Sequence, residues 1–429
     1  SWKNALTQIS AYRLRYRLNL FSNFTYFLND PVNGDQFEQS DNRNVSGVEM
    51  QQRWLGGWFD RNTENQIGLR VRNDDIDAVG LFRTNQRRRL ETVRLDRIAQ
   101  TNWSAYWQNA TTWSAKFRTI AGLRTDYFSF DVQSNLAANS DTTSDGIISP
   151  KLGFVLGPWR KTEFYVNYGT GFHSNDARGI TIRLDPVTLL PAQRVPALVR
   201  SKGGEWGLRA ALMEKWQSTF SLWVLDFDSE LLFSGDAGST EASRASRRTG
   251  FEWNNYFKPY RWMTAEVNWA YSRSRFRGHP EAGDRIPGAV EGVFTGGIWL
   301  EGLPLRLNPF QHTVGVIQTR AKPETVIGNS FWSNLILGLQ LRYFGPRPLI
   351  EDNSVRAKSS TLVNLAIGYK LNRKWNGFLD IFNVLNSESS DIDYYYLSRL
   401  PGEPLEGAAD IHTHPVEPLS FRFSVTRNF

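Results

Sequence analysis

The 429-residue chain carries 50 Lys and Arg against 43 Asp and Glu, a formal charge of +7, with 16 Trp, 15 Tyr, 27 Phe and no Cys. No run reaches the ~18 consecutive apolar residues that a membrane-crossing helix needs, SWKNALTQIS at the start lacks a secretion-signal apolar segment, and the missing Cys excludes a disulfide scaffold or a thiolate metal site. Arg recurs along the whole chain instead of gathering on one element, which argues against a nucleic-acid partner; a membrane barrel stays open, because its strands need apolar residues only at every second position.

The first strong alternation is AYRLRYRLNLF, where Tyr12, Leu14, Tyr16, Leu18 and Leu20 share one face and Arg13, Arg15, Arg17 and Asn19 the other. Period two is the signature of a strand. The tyrosine and leucine face is expected to meet lipid and the arginine face a polar interior. The pattern returns in MTAEVNWAY (263–271), LILGLQLRY (335–343), LVNLAIGYK (362–370) and the closing LSFRFSVTRNF (419–429). Traced along the chain it predicts sixteen strands: 3–27, 44–56, 61–74, 88–107, 113–131, 145–157, 162–172, 201–211, 217–231, 245–256, 262–275, 287–299, 331–344, 359–370, 375–390 and 413–429.

Short links such as GPWRK (157–161) and KLNRK (370–374) alternate with long polar links near 28–43, 131–147, 173–200, 231–247, 276–288 and 392–412. Short turns on one rim and long loops on the other are the arrangement of an outer-membrane barrel. Trp54, Trp58, Trp103, Trp107, Trp159, Trp216, Trp262 and Trp375 fall at or beside short links, where amphipathic rings would lie at headgroup level. Hydrocarbon offers no partner to a backbone N–H or C=O, so antiparallel strands in it must close. The predicted fold is therefore all-β, a transmembrane antiparallel β-barrel.

NDPVNGDQFEQSDNR (29–43), YGTGFHSNDARG (168–179), YFGPRPLIEDNS (343–354), DIDYYYLSRLPGEP (391–404) and IHTHPVEPLSFRFSVTRNF (411–429) resemble the C-terminal barrel of a TonB-dependent outer-membrane receptor. The resemblance covers residues 1–429 apart from 301–330, which reads as an unusual insertion or long periplasmic excursion. Phe429 with Phe421 and Phe423 resembles the final-strand signal of outer-membrane proteins. The resemblance implies a barrel of 22 strands with an N-terminal plug, so about 16 strands are present here while the plug and about six front strands are not recognisable. It also implies TonB-driven uptake of a ferric siderophore, another metal chelate, cobalamin or a sugar-like compound. The implied partners are the plug and remaining strands in the same or another chain, the TonB–ExbB–ExbD system, outer-membrane lipids and lipopolysaccharide, and the small-molecule ligand. The competing reading is a complete sixteen-stranded porin with passive diffusion through a water-filled channel.

Candidate ligand contacts fall in two stretches. Phe172, His173, Asn175, Asp176 and Arg178 follow a strand near the mouth and offer ring, imidazole, amide, carboxylate and guanidinium groups, though an Asn-Asp pair is equally a turn signal. His412 and His414, two apart on the predicted last strand, with Asp391, Asp393 and Tyr394 before them, offer imidazole and carboxylate donors, but nothing fixes their distances and no metal site is assigned. His279 and His312 add no metal spacing. Arg13, Arg15, Arg17, Arg118 and Arg124 are expected in the lumen, in contact with a plug. No phosphate-cradling loop and no nucleophile–histidine–carboxylate grouping is legible, so neither an enzyme nor a cofactor is expected.

Overall fold

The computed structural model describes residues 5–58, 61–213, 215–234, 239–242, 244–278, 281, 283–304 and 331–428. The first nine strands are β1 (Ala5–Ser22), β2 (Phe37–Trp58), β3 (Arg61–Asn85), β4 (Arg88–Ser114), β5 (Phe117–Ser134), β6 (Asp141–Trp159), β7 (Thr162–Ser174), β8 (Leu198–Leu212) and β9 (Trp216–Phe227). A small hairpin, β10 (Leu231–Ser234) with β11 (Ser239–Ala242), precedes β12 (Ser246–Tyr260), β13 (Met263–Phe276), β14 (Gly292–Glu301) and β15 (Leu335–Phe344). Two further excursions, β16 (Arg347–Pro348) with β17 (Arg356–Ala357) and β20 (Ser390–Ser398) with β21 (Ala408–Pro415), interrupt β18 (Ser360–Lys370), β19 (Trp375–Phe382) and β22 (Ser420–Arg427).

Sixteen of these form one antiparallel sheet in the order β1-β2-β3-β4-β5-β6-β7-β8-β9-β12-β13-β14-β15-β18-β19-β22. The strand number matches the alternation in the sequence. Among the described residues β1 and β22 are not paired with each other, so the sheet is an open arc of an antiparallel barrel wall. No described helix is long and apolar enough to cross a membrane, which says nothing of strands.

Register decides which face is which, because residues opposite one another in a sheet point the same way. Met50 and Val48 of β2 oppose Leu69 and Val71 of β3, which oppose Ala105 and Trp103 of β4. The same face runs on through Leu152, Val166, Trp206 and Leu222, then Ile298, Leu339 and Leu365 to Leu379 and Phe423. Most of these side chains are exposed, with Leu69 at 62% and Phe423 at 74%, so the apolar face has no protein cover. A continuous, uncovered apolar band is what a lipid-facing wall requires.

The band has a sharp upper edge. One row across the sheet reads Ala11, Val48, Val71, Trp103, Tyr127 and Gly146; the next row on the same face reads Arg13, Ser46, Asn73, Thr101, Ser129 and Ser144. Beyond that edge polarity inverts. The outer face turns polar, and the inner face carries a dry cluster of Ile76, Val79, Ile98, Phe128, Phe130, Val132 and Ile147. Strand tops that project past the bilayer have water outside and a packed loop inside.

The inversion corrects the reading of β1. Tyr12, Leu14 and Tyr16 oppose Gly47, Val45 and Arg43 on the inner face, and the Tyr12 ring lies so close over Gly47 that a Cβ there would sit 2.6 Å from it. Arg13, Arg15 and Arg17 share the outer face with Val48 and Met50, so the lumen position expected for these three does not hold. Alternation is the same on both sides of the bilayer edge, and β1 crosses that edge at Ala11. Trp103 likewise marks the upper edge of the band instead of a short turn.

Three other boundaries differ. β2, β3 and β4 run on into the segments expected as loops, leaving β3 and β4 joined by Gln86 and Arg87, both with positive φ. Only 135–140 remains of the loop expected at 131–147. The last strand begins at Ser420, so His412 and His414 belong to β21 in a long excursion. The insertion expected at 301–330 lies mostly outside the described residues, as do His279, His312 and Phe429.

Candidate functional site: the mouth of the wall

Long connections gather at the rim beyond the upper edge of the apolar band. The connection 175–197 after β7 contains one short helix, α1 (Ala177–Thr181), and packs on the inner face of the wall. Ala177 and Ile180 from α1, Ala197 from the loop's return and Leu198 at the start of β8 join the dry cluster on β3 to β6, with Phe172 set edge-on to Phe128 at 6.0 Å. Asp176 caps α1 by accepting from the Arg178 backbone N–H at 2.9 Å and takes two bonds from the Arg178 guanidinium at 2.9 and 2.8 Å. Burial opposes ionisation of Asp176, but the adjacent Arg178 charge and these bonds outweigh it and hold the carboxyl down at about 2. Asn175 is 4% exposed and donates to the Pro196 carbonyl at 2.6 Å, while the His173 ring lies 6.1 Å from Phe227. All five side chains of this stretch are placed in the packing and capping of the loop.

A set of charged pairs lines the inner face of the wall beside the loop, and one of them is bonded to it. Asp41 with Arg43, Arg72 with Asp74, Arg94 with Asp96 and Arg124 with Asp126 are each two residues apart on one strand, hence on one face. Arg94 and Asp96 pair at 2.5 Å with side chains 5% and 0% exposed, and Arg94 also donates to the Arg178 carbonyl at 3.2 Å. Arg124 holds the buried Asp126 through two 2.7 Å bonds, and Arg118 meets Glu163 at 2.5 Å on the same inner face. Arg118 and Arg124 thus lie on the polar inner wall. The paired spacing itself stands in the sequence as DNR, RND, RLD and RTD; its meaning needs the strand phase.

The second predicted group divides. His414 Nδ1 lies 2.9 Å from Asp391 Oδ1, and that bond holds the exposed Asp391 carboxyl below its usual range. Asp393 points to the other side, buried against Arg347 at 2.8 Å, where it ties the β20–β21 hairpin to β16. The His412 ring stacks on Tyr396 at 4.0 Å and 3° and lies 5.9 Å from Tyr26. Tyr394 opposes His412 in the hairpin and is 54% exposed. Among the described residues no group of three His, Cys, Asp or Glu is placed to hold a metal. The same hairpin grips the loop after β1: the Arg399 N–H donates to the Thr25 carbonyl at 3.1 Å, and the Phe27 N–H to the Arg399 carbonyl at 3.0 Å.

Below the hairpin lies a cavity of about 610 Å³ in the inner wall. Glu266 and Asn268 of β13, Gln340 and Arg342 of β15 and Asn364 of β18 line its floor, while Asp391, His414 and Glu417 form its upper edge. Its amide, carboxylate and guanidinium groups provide convergent donors and acceptors beside Trp299 and Phe382, the mixture that orients a polar ligand. Sequence reading missed the floor residues because they come from three strands. Each sits on the polar phase of an alternation that was legible, yet only register assembles them.

The chain matches the family model described as TonB dependent receptor-like, beta-barrel, over residues 1–384. It belongs to that family. No curated protein matches it in sequence. Among solved structures it is similar to the ferric-catecholate import receptor Fiu of E. coli K12 in its closed form, with a TM-score of 0.67 at 11% identity over 100% of this chain and 62% of that one. It is similar too to the ferric yersiniabactin uptake receptor FyuA of Yersinia pestis, with a TM-score of 0.68 at 12% identity over 100% of this chain and 59% of that one. The chain therefore spans about three fifths of the length of these receptors. It is a β-rich protein with the barrel-wall fold of that receptor-like family.

Proposed function

We propose that this chain forms the greater part of the wall of an outer-membrane receptor that takes up a scarce polar ligand by TonB-coupled active transport. The observation that carries this reading is the open sixteen-strand arc, lipid-facing outside and lined inside by charged pairs, in a chain of the TonB-dependent family. A plug in the same or another chain fills the arc against Arg118, Arg124 and the inner ion pairs, and the TonB–ExbB–ExbD system acts through it. The ligand, a ferric siderophore or other metal chelate, cobalamin or a sugar-like compound, enters between the β20–β21 hairpin and the wall. Asp391, His414, Glu266 and Gln340 contact it there. The passive porin reading is disfavoured because β1 and β22 are unpaired with each other, and an unclosed sheet cannot stand alone in hydrocarbon.

The test is uptake of a panel of labelled ferric chelates, cobalamin and oligosaccharides by cells expressing the protein, with and without a functional TonB. Accumulation of one ligand only where TonB works supports the proposal. Flux unchanged by loss of TonB returns the porin.

A further inference from the structure

Lysine is scarce in this chain and is not scattered. Of 11 Lys, five stand at the short-turn rim, opposite the mouth: Lys116, Lys161, Lys215, Lys258 and Lys374. Four of them occupy equivalent places. Lys116, Lys161, Lys215 and Lys374 are each the last residue before a strand, β5, β7, β9 and β19 in turn. Their carbonyls accept backbone bonds from the next strand over, from Gly157 at 2.9 Å, Ala211 at 3.0 Å, Lys258 at 2.7 Å and Asn428 at 2.7 Å respectively. These bonds carry the ladder through the turns and fix the lysine backbones to the wall. Arg160, Arg261 and Arg373 add charge to the same turns, and all eight basic residues are exposed. Among the described residues none of Arg160, Lys215, Lys258, Arg261, Arg373 and Lys374 forms an ion pair, whereas inner-wall arginines take carboxylates two residues away.

Spacing and height identify the partner. Neighbouring turns lie two strands apart, about 10 Å across the sheet, and the turns β4–β5, β6–β7, β8–β9 and β12–β13 follow one another without a break. That interval is about one Debye length at physiological salt, so each turn attracts an anion nearly independently and the array binds through the sum of its contacts. Trp159, Trp216, Trp262 and Trp375 flank these turns. Such rings lie at headgroup level, which places the turn tips on its water side. Lysine is a compact, hydrated point charge suited to carboxylates held in water, whereas bidentate recognition of phosphate favours arginine. A comb of equal intervals fits a repeating polymer better than a single acidic patch on a folded protein.

We propose that this lysine comb docks the carboxylate-bearing glycopeptide polymer of the cell wall, which lies beneath an outer membrane on the side of the short turns. The contact anchors the barrel wall at its lower rim and takes no part in ligand entry at the opposite mouth. The side on which the rim lies rests on the outer-membrane placement proposed above. Docking is measured without uptake, so either reading can fail while the other stands.

The experiment sediments the full chain, folded in non-ionic detergent micelles, with purified peptidoglycan sacculi and with sacculi whose carboxyl groups have been converted to amides. The chain is expected to pellet with native sacculi, less at high salt, and to stay in solution with amidated ones. K116Q/K161Q/K215Q/K374Q is expected to bind at least about tenfold more weakly, while R13Q/R15Q/R17Q, beyond the other edge of the apolar band, binds like the parent. Unaltered heat-modified gel mobility verifies that each variant is folded. Native mass spectrometry with phosphatidylglycerol separates the lipid alternative, and there the quadruple variant is expected to retain as much lipid as the parent. Equal pelleting with native and amidated sacculi, undiminished binding by the folded quadruple variant, an equal fall in R13Q/R15Q/R17Q, or loss of phosphatidylglycerol retention in place of sacculus binding overturns the proposal.

Discussion

Truncating Phe130 to Ala should release the connection 175–197 from the wall without dismantling the wall itself. Phe130 is 1% exposed on the inner face of β5, stacked on Phe128 at 5.9 Å and 10°, and Phe128 in turn packs edge-on against Phe172 at the foot of the loop. Removing a fully buried phenylalanine side chain costs about 3–5 kcal/mol, from lost burial and the cavity left behind. The ladder hydrogen bonds of β5 are untouched, so the cost falls mainly on docking of the loop. Converted at about 1.4 kcal/mol per decade, the open population rises by a factor of about a hundred to a few thousand. Hydrogen exchange reads this directly at three amides: Asn175 donating to the Ala197 carbonyl, Ile180 to the Asp176 carbonyl and Val195 to the Gly179 carbonyl. Phe154→Ala, on the lipid side of β6 and 38% exposed, should leave these amides as protected as before. Loop protection that survives Phe130→Ala, or that falls equally in Phe154→Ala, would refute the argument that the dry cluster holds the loop.

Acidification should act on the same loop through Asp176. Its carboxyl titrates at about 2 instead of 3.8, so its contribution is complete above pH ~4 and disappears as pH falls through ~2. With its side chain 32% exposed, solvent screening limits that contribution to about 1–2 kcal/mol; Asp176→Asn should lose it at neutral pH and flatten the acid dependence of exchange at Ile180. Asp96→Ala leaves the buried Arg94 guanidinium without its carboxylate and should cost about 3–5 kcal/mol in urea unfolding from micelles, whereas the joint Arg94→Met and Asp96→Leu replacement should recover most of it. Leu339→Arg puts a charge in the apolar band and should cost about 2–4 kcal/mol, seen as a lower folded fraction in vesicles by gel mobility. Gln340→Arg, one residue on and facing the cavity, should fold like the parent.

Much of the wall was legible because a strand between lipid and a polar interior must alternate, and the sixteen segments found by that rule correspond to the sixteen strands of the sheet. Boundaries failed where the environment changed along a strand. Segments 37–43, in a link read as polar, and 75–85, left between predicted strands, continue β2 and β3 above the bilayer, where water outside and a packed loop inside change the pattern expected of a strand. The first candidate stretch was visible as a cluster, but Asp176 and Arg178 have each other as partners and serve the loop. His412 and His414 share strand parity, as their spacing implied, and still have unrelated surroundings: one is stacked in rings and the other bonded to Asp391.

By itself the sequence determined that β1 alternates and that arginine occupies one phase of it. It did not determine which phase faces lipid, since a period of two is satisfied equally by either side of a sheet. That was decided by pairing Tyr12 with Gly47 and Arg13 with Ser46, which carries the faces of β1 into register with the apolar band on β2. The cavity floor was decided in the same way, by hydrogen-bonded neighbours that place Glu266, Gln340 and Asn364 in one row from strands far apart in the chain. Local preference is a property of one strand, whereas inside, outside and site are properties of strands held side by side.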